Sequence, residues 1–215
     1  MRMKAQPRYP INHSLLIVTL LLLLGSTCKK EVDNSKPEVQ SYPIAKVHTT
    51  YGDMHFWMSD STPNHKAKFI ELAREKHYDQ FSFNRVIKNF VIQGGCPDLP
   101  QYFENSPYLL DAEFNDSLTH VLGAVGIGRD DNPEKRSNAC QFYIVAEEKG
   151  LPNLDGDYVI FGHIIKGLDV LKTIEMVPTN SKDEPTTTIP LEVTIEEYTA
   201  DEIKERFGIL ISELK

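Results

Sequence analysis

Hydrophobic and polar positions divide the chain into three regimes. Residues 15–24 read LLIVTLLLLL, ten apolar positions broken only by Thr19. Spanning a bilayer takes about 20 apolar residues, so this run has the length of a secretory-signal core rather than a membrane helix. Residues 29–42 are polar, with Lys30, Glu31, Asp33, Asn34, Ser35 and Pro37, and predict a flexible tether. From Pro43 the periodicities are those of a folded domain. Residues 44–58 hold two strand-like runs around Tyr51-Gly52-Asp53, which predicts a hairpin. Thr62 and Pro63 open a helical pattern in which Phe69, Leu72 and Ala73 share a face, ending near Lys76-His77. Residues 83–92 alternate as strands and run into a turn at Gly94-Gly95; residues 96–119 are irregular, with Pro97, Pro100 and Pro107. Strands are expected at 121–127, 141–145, 158–165 and 191–198, with a charged loop at 129–138. Leu168, Leu171 and Ile174 mark a second helix, and Thr199 with Glu202 forms a capping box for a terminal helix carrying Ile203 and Phe207 inward. Many short strands and two separated helices predict an antiparallel barrel with helical caps.

The N-terminus changes the picture of where this domain works. Arg2, Lys4 and Arg8 precede the apolar run, and Gly25, Ser26, Thr27 and Cys28 follow it. Small residues ending in Cys resemble the cleavage site of bacterial lipoproteins, which implies lipidation of Cys28; an ordinary cleaved signal and an uncleaved anchor are the alternatives. The expectation is an exported lipoprotein anchored at a membrane, on the periplasmic or outer-membrane side of a cell envelope. Its layout is a signal peptide at 1–27, a tether at 28–42, a domain at 43–200 and a helical tail at 201–215. The net charge of −8 would become more negative by the three basic residues of the leader. An acidic chain repels phosphate backbones, so nucleic acid is not an expected partner. Cys96 and Cys140 would be the cysteines left: outside the cytoplasm they either pair or stay as two thiols. No C-x-x-C or Cys/His zinc spacing occurs, and no metal site or cofactor is expected.

Three blocks carry the chemistry. The first is Phe83-Asn84-Arg85-Val86-Ile87-Lys88-Asn89-Phe90-Val91-Ile92-Gln93-Gly94-Gly95. The second is Ser137-Asn138-Ala139-Cys140-Gln141-Phe142-Tyr143-Ile144-Val145. The third is Leu154-Asp155-Gly156-Asp157-Tyr158-Val159-Ile160-Phe161-Gly162, continued by Gly167-Leu168-Asp169-Val170-Leu171. In sequence and in order they resemble the signatures of the cyclophilins, over about residues 43–198. The resemblance implies a closed eight-stranded antiparallel β-barrel capped by two α-helices, a monomer, and cis/trans isomerisation of peptide bonds before proline in polypeptide substrates. By position, Arg85 is the family's catalytic arginine and Gln93 the residue that holds the substrate backbone. Phe90, Val91, Tyr143 and Leu154 match the apolar wall for the proline ring. Gln141 matches a second polar contact, and Gly128 and Arg129 line the peptide groove. Asn153 and Tyr158 fall at substrate-binding positions where Trp and His are common. Val91 stands where Met is usual and Tyr143 where Phe is usual. The Trp missing at position 153 is associated with cyclosporin binding, so the resemblance does not imply sensitivity to that drug.

Other chemistry fails on inspection. Gly123, Gly126 and Gly128 fall in the wrong order for a dinucleotide loop, and neither a P-loop nor H-E-x-x-H occurs. His120 and His163 read as structural or surface groups. Asn115-Asp116-Ser117 fits a glycosylation sequon, which carries little weight in a bacterial export context. Two other readings remain: a proline-peptide-binding module of the same fold without turnover, and a lipoprotein whose role is surface assembly.

Overall fold

The computed structural model describes residues 40–103 and 106–214. The run 15–24, Cys28 and nearly all of the expected tether lie outside the described residues. Strands β1 (Ser41–Thr49) and β2 (Gly52–Met58) form the expected hairpin. The turn comes slightly earlier than expected, where the Thr49 hydroxyl accepts from the Tyr51 amide at 3.1 Å. Strand β1 starts before Pro43 because Ser41 and Tyr42 pair with Thr199 and Tyr198.

Helix α1 (Pro63–Arg74) buries Phe69, Leu72 and Ala73 as its spacing demands. Its expected cap is not made: the Thr62 hydroxyl donates to the Ser59 carbonyl instead. The carboxylate of Glu113, from the irregular segment, takes the Asn64 and His65 amides at 3.2 and 3.0 Å. A distant anion thus satisfies the free amides of the helix start.

Strands β3 (Ser82–Val86) and β4 (Val91–Gly95) follow. Gly94 and Gly95 lie inside β4 rather than in a turn. A side chain at Gly94 would meet Leu191 at 3.0 Å and Phe83 at 3.1 Å, so glycine here serves close approach. The turn falls between the strands, where Asn89 takes a φ of 57°.

The irregular segment holds a single-turn helix α2 (Pro100–Phe103) and a two-residue strand β5 (Leu109–Leu110). Then come β6 (Ala124–Ile127), β7 (Ser137–Asn138), β8 (Gln141–Val145), β9 (Ile160–Lys166) and α3 (Leu168–Ile174). The chain closes with β10 (Ile189–Pro190), β11 (Glu192–Thr199) and α4 (Ala200–Phe207). Among the described residues, strand β5 pairs only with β7.

The main sheet has nine strands in the order β10-β3-β4-β8-β6-β9-β2-β1-β11, and it is open rather than an eight-stranded closed barrel. Its edges, β10 and β11, are consecutive in the chain and separated only by Leu191. The edges are therefore joined covalently, not by a ladder. Pro190 has no amide hydrogen to offer a ladder. The seam is closed by other bonds: Leu191 donates to the Phe81 carbonyl at 3.1 Å, and the Val193 amide to the Asp79 carboxylate at 3.1 Å.

One core lies between the curled sheet and helices α1 and α3. Phe69 of α1 meets the rings of Phe56, Tyr78, Phe142 and Phe161 at centroid distances of 4.8–5.7 Å. Helix α4 is part of the domain rather than an appendage. Ile203 is fully buried against Ile44 and Tyr198, with Trp57 and Phe207 beside them. The expected capping box is present: the Glu202 amide donates to the Thr199 hydroxyl, and the Glu202 carboxylate accepts from the Thr199 amide at 2.8 Å. None of the described helices is long and apolar enough to cross a membrane.

Candidate active site

The central strands β4, β6 and β8 are buried on both faces. In β8, Phe142 and Ile144 point into the main core. Alternation sends Gln141, Tyr143 and Val145 to the opposite face. The same rule puts Val91 and Gln93 of β4 on that face, opposite Val145 and Tyr143 in the register. Arg85 of β3 pairs with Gln93, and Tyr143 pairs with Gly126 of β6. Arg85, Gln93, Tyr143 and Gly126 thus form one row across four strands.

Arg85, Gln93 and Tyr143 of this row line a groove of about 580 Å³. Of the expected site residues, Arg85, Phe90, Val91, Gln93, Gly128, Arg129, Gln141, Tyr143, Leu154 and Tyr158 all line it. Asn153 does not. It lies in the 3-10 turn Pro152–Leu154, exposed, and the turn delivers Leu154 to the groove instead. A second apolar cluster backs the wall, with Val91, Tyr143, Val145 and Ile160 at its centre and Phe90, Leu154 and Tyr158 packed on it.

Two polar side chains in the row stand without intramolecular partners among the described residues. Arg74 pairs with Glu197 at 3.0 Å, and Arg129 donates to the Asp157 carbonyl at 2.8 Å. The half-buried guanidinium of Arg85 has no such acceptor. Gln93 is only 8% exposed, yet among the described residues its amide has no hydrogen-bond partner. No atom of either group is among the fully buried unpaired side-chain atoms, so both open to the groove, where a polar ligand can reach them.

The other expected residues are more committed. Arg129 lies over the Tyr158 ring, 4.8 Å from its centroid, and also donates to the Asp130 carbonyl at 2.9 Å. It is a fixed wall. The amide nitrogen of Gln141 donates to the Cys96 carbonyl at 3.0 Å and to Asp98 at 2.7 Å, so its oxygen is the atom left for a ligand.

Glycines make room for these side chains. A Cβ at Gly126 would lie 2.8 Å from Cε1 of Tyr143, and closer still to Cζ and Oη; one at Gly128 would lie 2.8 Å from Cδ of Gln141. The sequence reading placed Gly128 in the groove but used Gly126 only to exclude a nucleotide loop. It also missed one rim of the groove, formed by Asp98, Leu99, Pro100 and Phe103, with Asp130 nearby. The prolines of the irregular segment were the only available signal for that rim.

Behind the wall, His120 is 2% exposed. Its Nδ1 lies 2.6 Å from Asp155 and its Nε2 lies 2.7 Å from the Tyr143 hydroxyl. Burial holds the imidazole below its ordinary pKa, against the opposing pull of Asp155. Burial also pushes the Tyr143 phenol well above its usual range. Cys96 and Cys140, which flank the paired ends of β4 and β8, are joined in a disulfide with their Cα atoms 5.5 Å apart. The described residues hold no cluster of three or more metal-ligating side chains.

Comparison with known proteins gives a consistent result. The family model for "Cyclophilin type peptidyl-prolyl cis-trans isomerase/CLD" matches residues 44–196. A peptidyl-prolyl cis-trans isomerase of Arabidopsis thaliana is 33% identical over 155 residues, covering 71% of this chain and 92% of the relative. An isomerase-like protein of Rhizopus delemar is 33% identical over 158 residues, but this chain spans only 28% of that relative's length. The crystal structure of a Cryptosporidium parvum cyclophilin-type isomerase, solved in the presence of the dipeptide Ala-Pro, superposes with a TM-score of 0.64 at 28% identity. It covers 71% of this chain and 98% of that one.

Proposed function

Because the chain belongs to the cyclophilin-type peptidyl-prolyl cis-trans isomerases, we propose that its groove binds X-Pro segments of polypeptides and accelerates rotation about the bond before proline. That bond resists rotation because the amide nitrogen shares its lone pair with the carbonyl. Proline makes both isomers accessible, while exchange still takes tens to hundreds of seconds. A catalyst has to bind the twisted amide better than either planar form.

The observation that carries this reading is the pair of unpartnered side chains, Arg85 and Gln93, on adjacent strands beside an apolar wall. In the proposed mechanism Phe90, Val91, Tyr143 and Leu154 receive the proline ring. Gln93 holds the substrate backbone, since an amide donates and accepts at once. Arg85 donates toward the proline nitrogen as its lone pair localises, which is preorganised electrostatic stabilisation. No nucleophile enters the scheme.

Exchange of an Ala-Pro peptide, followed by NMR with the folded protein present, tests the reading directly. Accelerated exchange is expected. Peptide binding without exchange would instead assign a proline-binding module.

Export and lipidation at Cys28 complete the proposal, with assistance to the folding of exported proteins as the role. The Cys96–Cys140 disulfide supports this, because disulfides persist in oxidising compartments. Metabolic labelling with a fatty-acid analogue tests it: label is expected on the natural chain and not on Cys28→Ser. Equal labelling of both would refute it.

A further inference from the structure

We infer that Asp155 and His120 are positioning residues for the proline pocket, locking the Tyr143 ring in place through its hydroxyl; this rests on reading the groove as an X-Pro isomerase site. One oxygen of Asp155 accepts from both the His120 amide, at 2.9 Å, and its Nδ1, at 2.6 Å. A carboxylate can only accept, so Nδ1 carries the hydrogen. The neutral imidazole then has a bare Nε2. That atom is 2.7 Å from Tyr143 Oη, so the phenol is the donor. The direction of the whole chain of hydrogen bonds follows from its outer carboxylate.

The lock is tight because the ring is held on other sides as well. The planes of His120 and Tyr143 lie within 10° of each other, and Tyr158 meets the Tyr143 ring edge-on at 86°. On its Gly126 side the ring occupies the space a Cβ would need. Tyr143 also lines the groove. Fixing its tip therefore fixes part of the wall that receives the proline ring. The chain depends on both ends: phenylalanine at 143 would leave Nε2 of His120 buried and unpaired, and an apolar residue at 120 would leave a buried phenol unpaired.

The charged and titratable groups around this chain are few. Asp155 and Tyr143 face His120, and Tyr158 and Arg129 also face Tyr143. At neutral pH the imidazole is uncharged. On protonation both ring nitrogens become donors. Nε2 must then donate to Tyr143, and the phenol hydrogen has to leave the bond that locked it. Acid therefore loosens the wall. Ground-state and transition-state binding both use this wall, so the effect falls on KM more than on kcat.

The test measures kcat and KM for an Ala-Pro peptide with the full chain from about pH 8 downward, as far into acid as circular dichroism shows the fold intact. The proteins compared are the natural one, Tyr143→Phe and His120→Gln. The natural protein should show KM rising several-fold as pH falls through the His120 transition. Tyr143→Phe should have KM raised about two- to tenfold at neutral pH, the range one hydrogen bond gives, and no acid limb. His120→Gln keeps an acceptor for the phenol, so its KM should stay near that of the natural protein at neutral pH and flat in acid. Nitrogen-15 NMR of the natural protein should show His120 with its hydrogen on Nδ1. A Tyr143→Phe protein with the natural KM and the natural acid limb would overturn the proposal, as would a hydrogen on Nε2. If the natural protein binds the peptide but does not turn it over, the isomerase reading fails instead. Peptide affinity across the same pH range then decides the lock by the same criteria.

Discussion

Substituting Gly126 by alanine probes the geometry on which the pocket depends. The backbone at Gly126 is not in the left-handed region, so alanine meets no conformational barrier and the whole effect is one of space. Its methyl would overlap Tyr143 at Cζ, Oη and Cε1, and a buried ring has little room to retreat. Overpacking of this kind destabilises by about 1–3 kcal/mol. Displacing the ring also breaks the bond to His120, adding about 0.5–1.5 kcal/mol. The expected loss is then roughly 1.5–4.5 kcal/mol, read as a lower urea midpoint at unchanged slope. The KM for an Ala-Pro peptide should rise with it, because the ring moves in the groove. Removing the ring as well, in Gly126→Ala with Tyr143→Ala, should make the two losses non-additive by at least about 1 kcal/mol. A single Gly126→Ala variant within about 0.5 kcal/mol of the natural protein and with the same KM would refute the packing argument.

Other consequences are independent of that row. Replacing Cys96 and Cys140 together by alanine should lower stability by about 2–4 kcal/mol in urea unfolding, since the cross-link spans a separation of 44 residues; an unchanged midpoint would contradict it. His65 and His120 are buried, and burial depresses the pKa of both despite their carboxylate partners. Below about pH 6.5 the unfolded chain takes up protons that the native state does not. Stability should therefore be full above that pH and fall as pH drops toward the depressed values, by up to about 1.4 kcal/mol per pH unit for each group. A flat stability profile between about pH 5 and pH 7 would be inconsistent with neutral buried imidazoles. Thr199→Ala removes the reciprocal cap of α4 and should lower stability by about 1 kcal/mol in thermal unfolding, with isomerase activity intact.

The longer strands, α1, α3 and the capped α4 were legible because they rest on local rules: alternation, helical spacing and the Thr199-Glu202 box; the two-residue strands β5, β7 and β10 were not. The groove was legible for a different reason. Residues 142–145 are hydrophobic on both faces, so periodicity gave a strand but not which side chains face a ligand; the three blocks supplied that. What failed to show is long-range. Glu113 caps α1 from 48 residues downstream of His65. The open seam depends on β10 and β11 finding different partners on either side of Leu191. Spacing could not decide the fate of Cys96 and Cys140, whereas the register sets them beside the Gly95–Gln141 pair. His120 read as a structural or surface group because nothing in the sequence places it under Tyr143.

The central claim is that Arg85 supplies transition-state stabilisation in an X-Pro isomerase groove. The most direct measurement is kcat/KM for an Ala-Pro peptide with the natural protein, Arg85→Ala and Arg85→Lys, each checked for native circular dichroism and peptide binding. The account predicts a fall of about 10²–10³-fold in Arg85→Ala. Only partial recovery is expected in Arg85→Lys, because an ammonium lacks the planar fork. Natural rates from a folded Arg85→Ala protein, or no exchange from the folded natural protein, would contradict it.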